Sequence, residues 1–278
     1  MVTAGPGAGA AADAVPAGVL VYGLGRSGSA ALRRAAKAGA GVAFYERRRE
    51  GPDVDAALAL GAARVEDVTT LDPGLFPTCV AAPGVPIDHP DLVALRARGV
   101  EVIGEVEWTW RRVPGRYVGV TGTAGKGSTT TWLETVLRAA GVDAVAGGNN
   151  DPALAAVARP GATHVVELSS FQLERCPTFA PEVAVVLNLG EDHLDRHGTV
   201  AAYHRAKRNL VDNLGPGSTL VYNADDPVLR EWAAATGARA LAYSLARGAD
   251  ADYDAGDGTL RLHGRPLLRA ADLAVAGE

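Results

Sequence analysis

The residues in this sequence best suited to chemistry cluster around Lys126, in the run VGVTGTAGKGSTTTW over residues 118–132. A glycine-rich turn between a β-branched strand and a helix aims several backbone N–H groups at one point. There the helix dipole and those amides cradle phosphate oxygens, and a lysine reaches the β- and γ-phosphates as a point charge. The run departs twice from the strict pattern G-x-x-x-x-G-K-[ST]: Val120 stands at the first glycine, and Gly127 at the Mg2+-binding hydroxyl. The strand–loop–helix context favours a nucleotide loop made by Gly122, Thr123, Ala124, Gly125, Lys126, Gly127 and Ser128 over an ordinary glycine-rich turn.

Further polar residues end apolar runs. In HVVELSSFQLE, Glu167 closes a strand and is followed by Ser169, Ser170 and Gln172. Ligands of open α/β sheets bind at that edge, and a carboxylate there suits Mg2+, which takes hard oxygen donors. Taken alone, Glu167 reads better as a helix-capping acid on a solvated loop. AVVLNLGEDHLDRHG crowds Asn188, Glu191, Asp192, His193, Asp195, Arg196 and His197 after the next strand. A lone histidine is more often a surface or hydrogen-bonded residue than a ligand, but the position of His193 level with Glu167 on a neighbouring strand raises the ligand reading. Lys207, in the helical run YHRAKRNL, reads by itself as a solvated surface lysine.

Gly23 to Gly28, GLGRSG, fit G-x-G-x-x-G between a strand and a helix, with Glu46 closing the next strand where a dinucleotide fold places its ribose-binding acid. Two alternatives stand: contact with a ligand's phosphates, as in a nicotinamide-dependent dehydrogenase, or a tight turn with glycines for packing alone.

These residues need a scaffold of strand ends, and the chain supplies it. From Gly18, short β-branched runs alternate with Ala- and Leu-rich segments, the rhythm of a parallel sheet. The fold class is therefore α/β. A flexible tail over residues 1–17 precedes a Rossmann-like parallel-sheet domain over 18–114, punctuated by Pro114 and Gly115. A P-loop-type α/β domain follows over 115–278, its loop helix beginning near Ser128 and its last segment a hairpin turning at DGT and HGR. With 278 residues, 47% of them hydrophobic, the chain can fill two cores. The net charge of −5, spread without long runs, points to small molecules rather than to nucleic acid or a membrane surface. No apolar run nears the roughly 20 residues that span a bilayer, and the start lacks a secretion signal, so the expected place is the cytoplasm. Cys79 and Cys176 read as packing residues.

Taken in order, GLGRSG, APG, TGTAGKGST, GGN, ELSSFQLE, EDHLDRH and YHRAKRNL resemble the Mur ligases from about Val19 onward. The resemblance implies a cytoplasmic, monomeric enzyme of peptidoglycan synthesis that uses ATP and Mg2+. Through ELSSFQLE, it implies the member that adds D-glutamate to UDP-MurNAc-L-alanine by way of an acyl phosphate. Phosphoryl transfer is mostly positioning and charge neutralisation, which suits a phosphate loop, a lysine and Mg2+. Carried onto this sequence, Arg26, Ser27, Glu46, Arg47 and Gly84 would hold the uridine and its phosphates, so that G-x-G-x-x-G grips UDP and not NAD. Asn149, with Ser169 and Gln172, would contact the UDP-linked substrate. Lys126, Glu167, His193 and Lys207 would be catalytic, with Mg2+ held by Ser128, Glu167, His193 and Lys207, the last as a carbamate.

Departures from the family pattern are Gly127, Ala124 for the usual Asn, and Asn150 and Asp151 for the usual Ile and Gly. Family members also continue where this sequence ends at Glu278, into contacts for adenine, ribose and D-glutamate. The 278 residues by themselves are accordingly expected to bind UDP-MurNAc-L-alanine and to turn over poorly or not at all. A nucleotide-binding regulator without catalysis is the competing class.

Overall fold

The structure, a computed structural model, describes residues 17–272; apart from Ala17, the expected tail lies outside the described residues. The first sheet alternates β1 (Val19–Tyr22), α1 (Arg26–Lys37), β2 (Val42–Tyr45), α2 (Pro52–Ala59), β3 (Ala63–Arg64), β4 (Thr78–Ala81), α3 (Pro90–Ala97) and β5 (Glu101–Ile103), with α4 (Glu105–Trp110) after it. The strands lie in the order β3-β2-β1-β4-β5, and all pairs are parallel. All four residues of β1 are buried, as a central strand covered on both faces requires. The chain winds outward in both directions from β1 and β4, so the turn at Gly23 to Gly28 opens at the reversal, where such sheets bind ligands.

The second sheet is built from β6 (Arg116–Thr121), α5 (Lys126–Ala139), β7 (Ala144–Gly148), α6 (Leu154–Val157), β8 (Thr163–Glu167), α7 (Ser170–Leu173), β9 (Val183–Val186), α8 (Leu194–His197), α9 (Val200–Asp212), β10 (Thr219–Asn223), α10 (Pro227–Ala235), β11 (Arg239–Ser244), β12 (Ala251–Asp254), β13 (Thr259–Leu262) and β14 (Arg265–Arg269). The strand order is β14-β13-β12-β11-β10-β9-β6-β8-β7, parallel from β7 to β12 and antiparallel through β13 and β14. The expected terminal hairpin is thus a three-stranded meander: Gly258 N–H donates to Asp254 O at one turn, and His263 and Gly264 take positive φ at the other. The loop helix starts at Lys126, two residues before the expected start. Gly125, at φ 82°, turns the chain in the left-handed region open to glycine, so Lys126 is already helical.

Polar contacts tie the two sheets together. Arg34 donates to the carbonyls of Ala155 and Ala158 in and beside α6, and Ala155 N–H donates to the buried Glu105 carboxylate. Burial of that carboxyl raises its pKa to about 7. Arg175, 2% exposed, reaches back to the carbonyls of Pro83 and Val85, and Gly104 N–H donates to Arg175 O at 2.9 Å. The segment after β4 is thereby fixed against the second sheet.

Candidate active site

The loop after β6 is held open by the end of β9. Asn188 Oδ1 accepts from Thr123 N–H at 3.0 Å and Ala124 N–H at 2.9 Å, while Asn188 Nδ2 donates to Ala124 O at 3.1 Å. Gly190 N–H donates to Thr123 Oγ1 at 2.8 Å. Val120, at the pattern's first glycine, is a fully buried strand residue, and Gly122 with φ 157° makes the turn instead. With the amides of Thr123 and Ala124 spoken for, those of Lys126, Gly127 and Ser128 remain. They belong to the first turn of α5 and have no intrahelical acceptor, and the positive end of the helix dipole lies there.

Two lysines converge on this loop. Lys126 Nζ donates to Gly122 O and Thr123 O at 3.0 Å each, and Lys207 Nζ donates to the same Gly122 O at 2.8 Å. Among the described residues neither has a carboxylate within ion-pair distance. Lys207 is 1% exposed, not the solvated lysine its helix suggested, and its ammonium stands 4.6 Å from the Tyr203 ring centroid. Burial, and then the charge of Lys126, push its pKa down to about 7, with Asp192 opposing. Two cations on one carbonyl, beside unpaired amides, form a pocket of positive potential suited to an anion of high charge.

Glu167 ends β8 and is 3% exposed, which sets aside the solvated capping acid. Its Oε1 accepts from Asn149 Nδ2 at 2.9 Å, and its backbone carbonyl accepts from Asn149 N–H at 2.9 Å. Its Oε2 is buried without a partner and lies 3.4 Å from where a Cβ on Gly127 would stand. A buried carboxylate oxygen left unpaired is costly unless a cation completes it. The donor set therefore fits a divalent cation at the amino end of α5, where Ser128 is exposed in the first turn.

His193 is not beside Glu167 in the manner expected. β6 lies between β8 and β9, so the two strands are not neighbours, and His193 sits well past β9 as the left-handed residue, φ 52°, that begins α8. Chain order suggested adjacency, but the crossover places β9 on the far side of β6. His193 is exposed, lies 3.5 Å from Asp192, and faces the Phe171 and Tyr203 rings at 4.9 and 6.3 Å between centroids. It thus shares Tyr203 with Lys207. No group of three or more His, Cys, Asp or Glu among the described residues stands close enough to hold a metal.

Ser169 and Gln172 spend their polar groups on each other. Ser169 N–H donates to Gln172 Oε1 at 3.0 Å and Gln172 N–H to Ser169 Oγ at 3.3 Å, the reciprocal box that caps α7. Behind them Ser170, Arg196 and His197, which the sequence marked only as part of a polar crowd, form a network with Glu174. His197 lies 3.0 Å from Ser170 Oγ and 3.3 Å from Glu174, and Arg196 donates to Val85 O at 2.9 Å. Burial lowers the His197 pKa, with Glu174 opposing.

In the first sheet the three glycines divide their work. A Cβ on Gly28 would overlap Gly23 O, whereas one on Gly25 meets nothing within 4 Å. Gly28 is there for packing of α1 on β1, and Gly25 leaves its surface open. Around that turn stand Arg26, whose Nη2 donates to Asn149 O at 3.1 Å, Ser27, half-buried, and Glu46. Glu46 Oε2 accepts from Leu24 N–H at 2.8 Å, and Oε1 from Arg48 N–H at 3.1 Å. Burial would raise the Glu46 pKa, but the amides of Leu24 and Arg48 and the Arg48 guanidinium outweigh it and hold the carboxyl below the usual range. Arg47 and Gly84 are exposed, and Gly84 O accepts from Arg196 at 3.4 Å. Asn149 joins this turn to Glu167, since it bonds to both.

Comparison with known proteins places these residues in context. The model of the Mur ligase middle domain matches residues 120–269. The UDP-N-acetylmuramoylalanine--D-glutamate ligase of Thermus thermophilus is 52% identical over 225 residues, covering 81% of this chain and 53% of the relative. The enzyme of the same name from Deinococcus radiodurans is 49% identical over 212 residues, 76% of this chain and 45% of the relative. The chain spans about half the length of the curated relatives it matches. Among solved structures, the Neisseria meningitides UDP-N-acetylmuramate:L-alanyl-gamma-D-glutamyl-meso-diaminopimelate ligase aligns with a TM-score of 0.61 at 20% identity, covering 90% of this chain and 85% of that one. The MurF ligase of Thermotoga maritima, solved with ADP, aligns with a TM-score of 0.51 at 18% identity, covering 82% of this chain and 54% of that one. Both share the fold.

Proposed function

This chain belongs to the Mur ligase family, and from that premise we propose that it takes part in ATP-dependent addition of D-glutamate to UDP-MurNAc-L-alanine, in the cytoplasmic stage of peptidoglycan synthesis. The observation that carries the proposal is the convergence of Lys126 and Lys207, without carboxylate partners among the described residues, on Gly122 O at the amino end of α5. D-Glutamate is proposed from the two relatives' names. ATP is supported by the ADP held in the Thermotoga ligase. A dehydrogenase would leave both lysines and the unpaired Glu167 oxygen without a use.

Residues 18–114 would hold the UDP moiety through Arg26, Ser27, Glu46, Arg47 and Gly84, and residues 115–278 the triphosphate through residues 122–128. Asn149 bonds to Arg26 of the first half and Glu167 of the second, which supports its contact with the substrate between them. Lys126 would turn from the loop carbonyls to the β- and γ-phosphates, and the first-turn amides would orient the transferred group. The substrate carboxylate attacks the γ-phosphorus as the bond to ADP breaks. The D-glutamate amine then attacks the acyl carbon and phosphate leaves. Mg2+, held by Glu167 with Ser128 and by Lys207 as a carbamate, would supply neutralisation of charge on the phosphates; His193, exposed at the start of α8 across β6 from Glu167, is left out of that set.

Lys207 would serve as a carbamate. Its neutral amine takes up CO2, forming an N–C bond and releasing one proton, which gives a carboxylate where an ammonium cannot bind a cation. Only the neutral amine has the lone pair, and the Lys207 pKa of about 7 makes that form abundant near neutrality. With [13C]bicarbonate at fixed concentration, a carbamate resonance is expected that grows as pH rises through about 7 and is absent from Lys207→Ala. A resonance that survives the substitution counts against the assignment.

The proposed reaction is tested with enzyme in excess over UDP-MurNAc-L-alanine, by mass spectrometry. A gain of one D-glutamyl residue that requires ATP and Mg2+ is expected. ADP formed equally well without the UDP substrate would overturn it.

A further inference from the structure

Two of the departures from the family pattern face each other. Gly127 stands where the loop pattern places a cation-binding hydroxyl, and a Cβ there would come within 2.5 Å of Asn150 Nδ2. The φ of Gly127 lies outside the left-handed region, so the backbone does not demand glycine. What is demanded is room, and the Asn150 carboxamide takes it. The next atom met would be Glu167 Oε2, at 3.4 Å, the buried oxygen that has no partner. Asn150 is held in register with that carboxylate, because its neighbour Asn149 bonds to Glu167 through both backbone and side chain. A cavity of about 260 Å3, lined among others by Gly127, Thr130, Asn150 and Glu167, opens at this point. It is large enough for a cation with several waters, each of which takes about 30 Å3 in the liquid.

We propose that Asn150 replaces the missing loop hydroxyl: its carboxamide oxygen, beside the Glu167 Oε2 carboxylate oxygen, is a neutral oxygen donor to the divalent cation that accompanies the nucleotide, and Gly127 is the clearance that admits it. A carboxamide carries an oxygen acceptor and an NH2 at interchangeable positions, so rotation of the terminal amide brings Oδ1 to the place of Nδ2. Hard cations of this class take amide oxygens together with carboxylates. The inference rests on the nucleotide reading of the loop. It adds that positions 127 and 150 are coupled, since a hydroxyl at 127 and the amide at 150 compete for one place.

The test uses the full 278-residue chain, ADP and Mn2+ as the probe, with free Mn2+ followed by electron paramagnetic resonance. The wild type is expected to bind Mn2+ in the presence of ADP. Asn150→Ala is expected to weaken that binding on the order of tenfold, and Asn150→Asp, which keeps an oxygen donor, to retain or tighten it. Gly127→Ser is expected to bind Mn2+ within about threefold of wild type, its hydroxyl displacing the exposed amide, and Asn150→Ala in that background to cost little, a non-additive cycle. An Asn150→Ala variant that binds as wild type, or that loses the same factor with and without Gly127→Ser, overturns the proposal while the nucleotide reading stands. A wild type that does not bind Mn2+ with ADP overturns both.

Discussion

Lys126→Ala should lose nucleotide affinity by about a hundredfold or more while UDP-MurNAc-L-alanine affinity is unchanged. A charge-assisted hydrogen bond contributes roughly 1.5–3 kcal/mol, and Lys126 would make more than one to the phosphates of a bound nucleotide. Any turnover should fall further, on the order of a thousandfold, because charge on the transferring group is greatest in the transition state. The fold should tolerate the change: Lys126 is half-buried, and its two bonds go to loop carbonyls, one of which keeps Lys207. The proposed UDP site is on the other sheet, around Gly23 to Gly28, while the hydrogen bonds of this side chain go to Gly122 O and Thr123 O. A second consequence follows from charge. The Lys126 ammonium depresses the Lys207 pKa, so its removal should move the carbamate resonance to higher pH. Calorimetry with each ligand separately checks the first part, and loss of both affinities together would contradict the division of labour between the two sheets.

Gly28→Ala should unfold or severely weaken the first sheet, whereas Gly25→Ala should not. The added Cβ at 28 overlaps Gly23 O and would stand 3.1 Å from Gly23 C and 3.2 Å from Val21 Cγ1. These are backbone atoms and a core methyl, neither free to swing away, so α1 must slide off β1. Overpacking of this kind costs about 1–3 kcal/mol when side chains can adjust, and more where backbone must move. At Gly25, φ is −66° and nothing lies within 4 Å of the new Cβ, so the melting temperature should hold. The surface left open by Gly25 is where a pyrophosphate would approach the amides, so the same substitution should weaken UDP-substrate binding. Thermal melts beside binding isotherms separate the two glycines. A Gly28→Ala protein that melts with wild type would show that this turn is not close-packed.

Strands and loops at their ends were legible because parallel sheets write themselves as short apolar runs between helical segments, and glycines mark the turns. β1, β6 and β8 and the loops after β1 and β6 lie where the residues imply. Relations across the sheet were not legible. β8 and β9 follow each other in the chain yet flank β6 on opposite sides, so the supposed adjacency of His193 and Glu167 was lost with the crossover. The burial of Lys207 is equally non-local, set by its bond to Gly122 O far away in sequence. Asn188 as the loop's brace and Arg175 as the tie between sheets depend on contacts of the same kind. One signal was missed that local sequence carries: Ser169-x-x-Gln172 is the capping-box spacing, and it accounts for those side chains before any substrate is invoked.

The central claim, that one sheet holds a UDP-linked substrate and the other a nucleotide, is tested most directly by titrating the wild-type chain with UDP-MurNAc-L-alanine before and after saturation with magnesium and a non-hydrolysable ATP analogue. One-to-one binding of each ligand, neither displacing the other, is the predicted result. Mutual displacement, or NADH competing with the UDP substrate at the Gly23 turn, would contradict it.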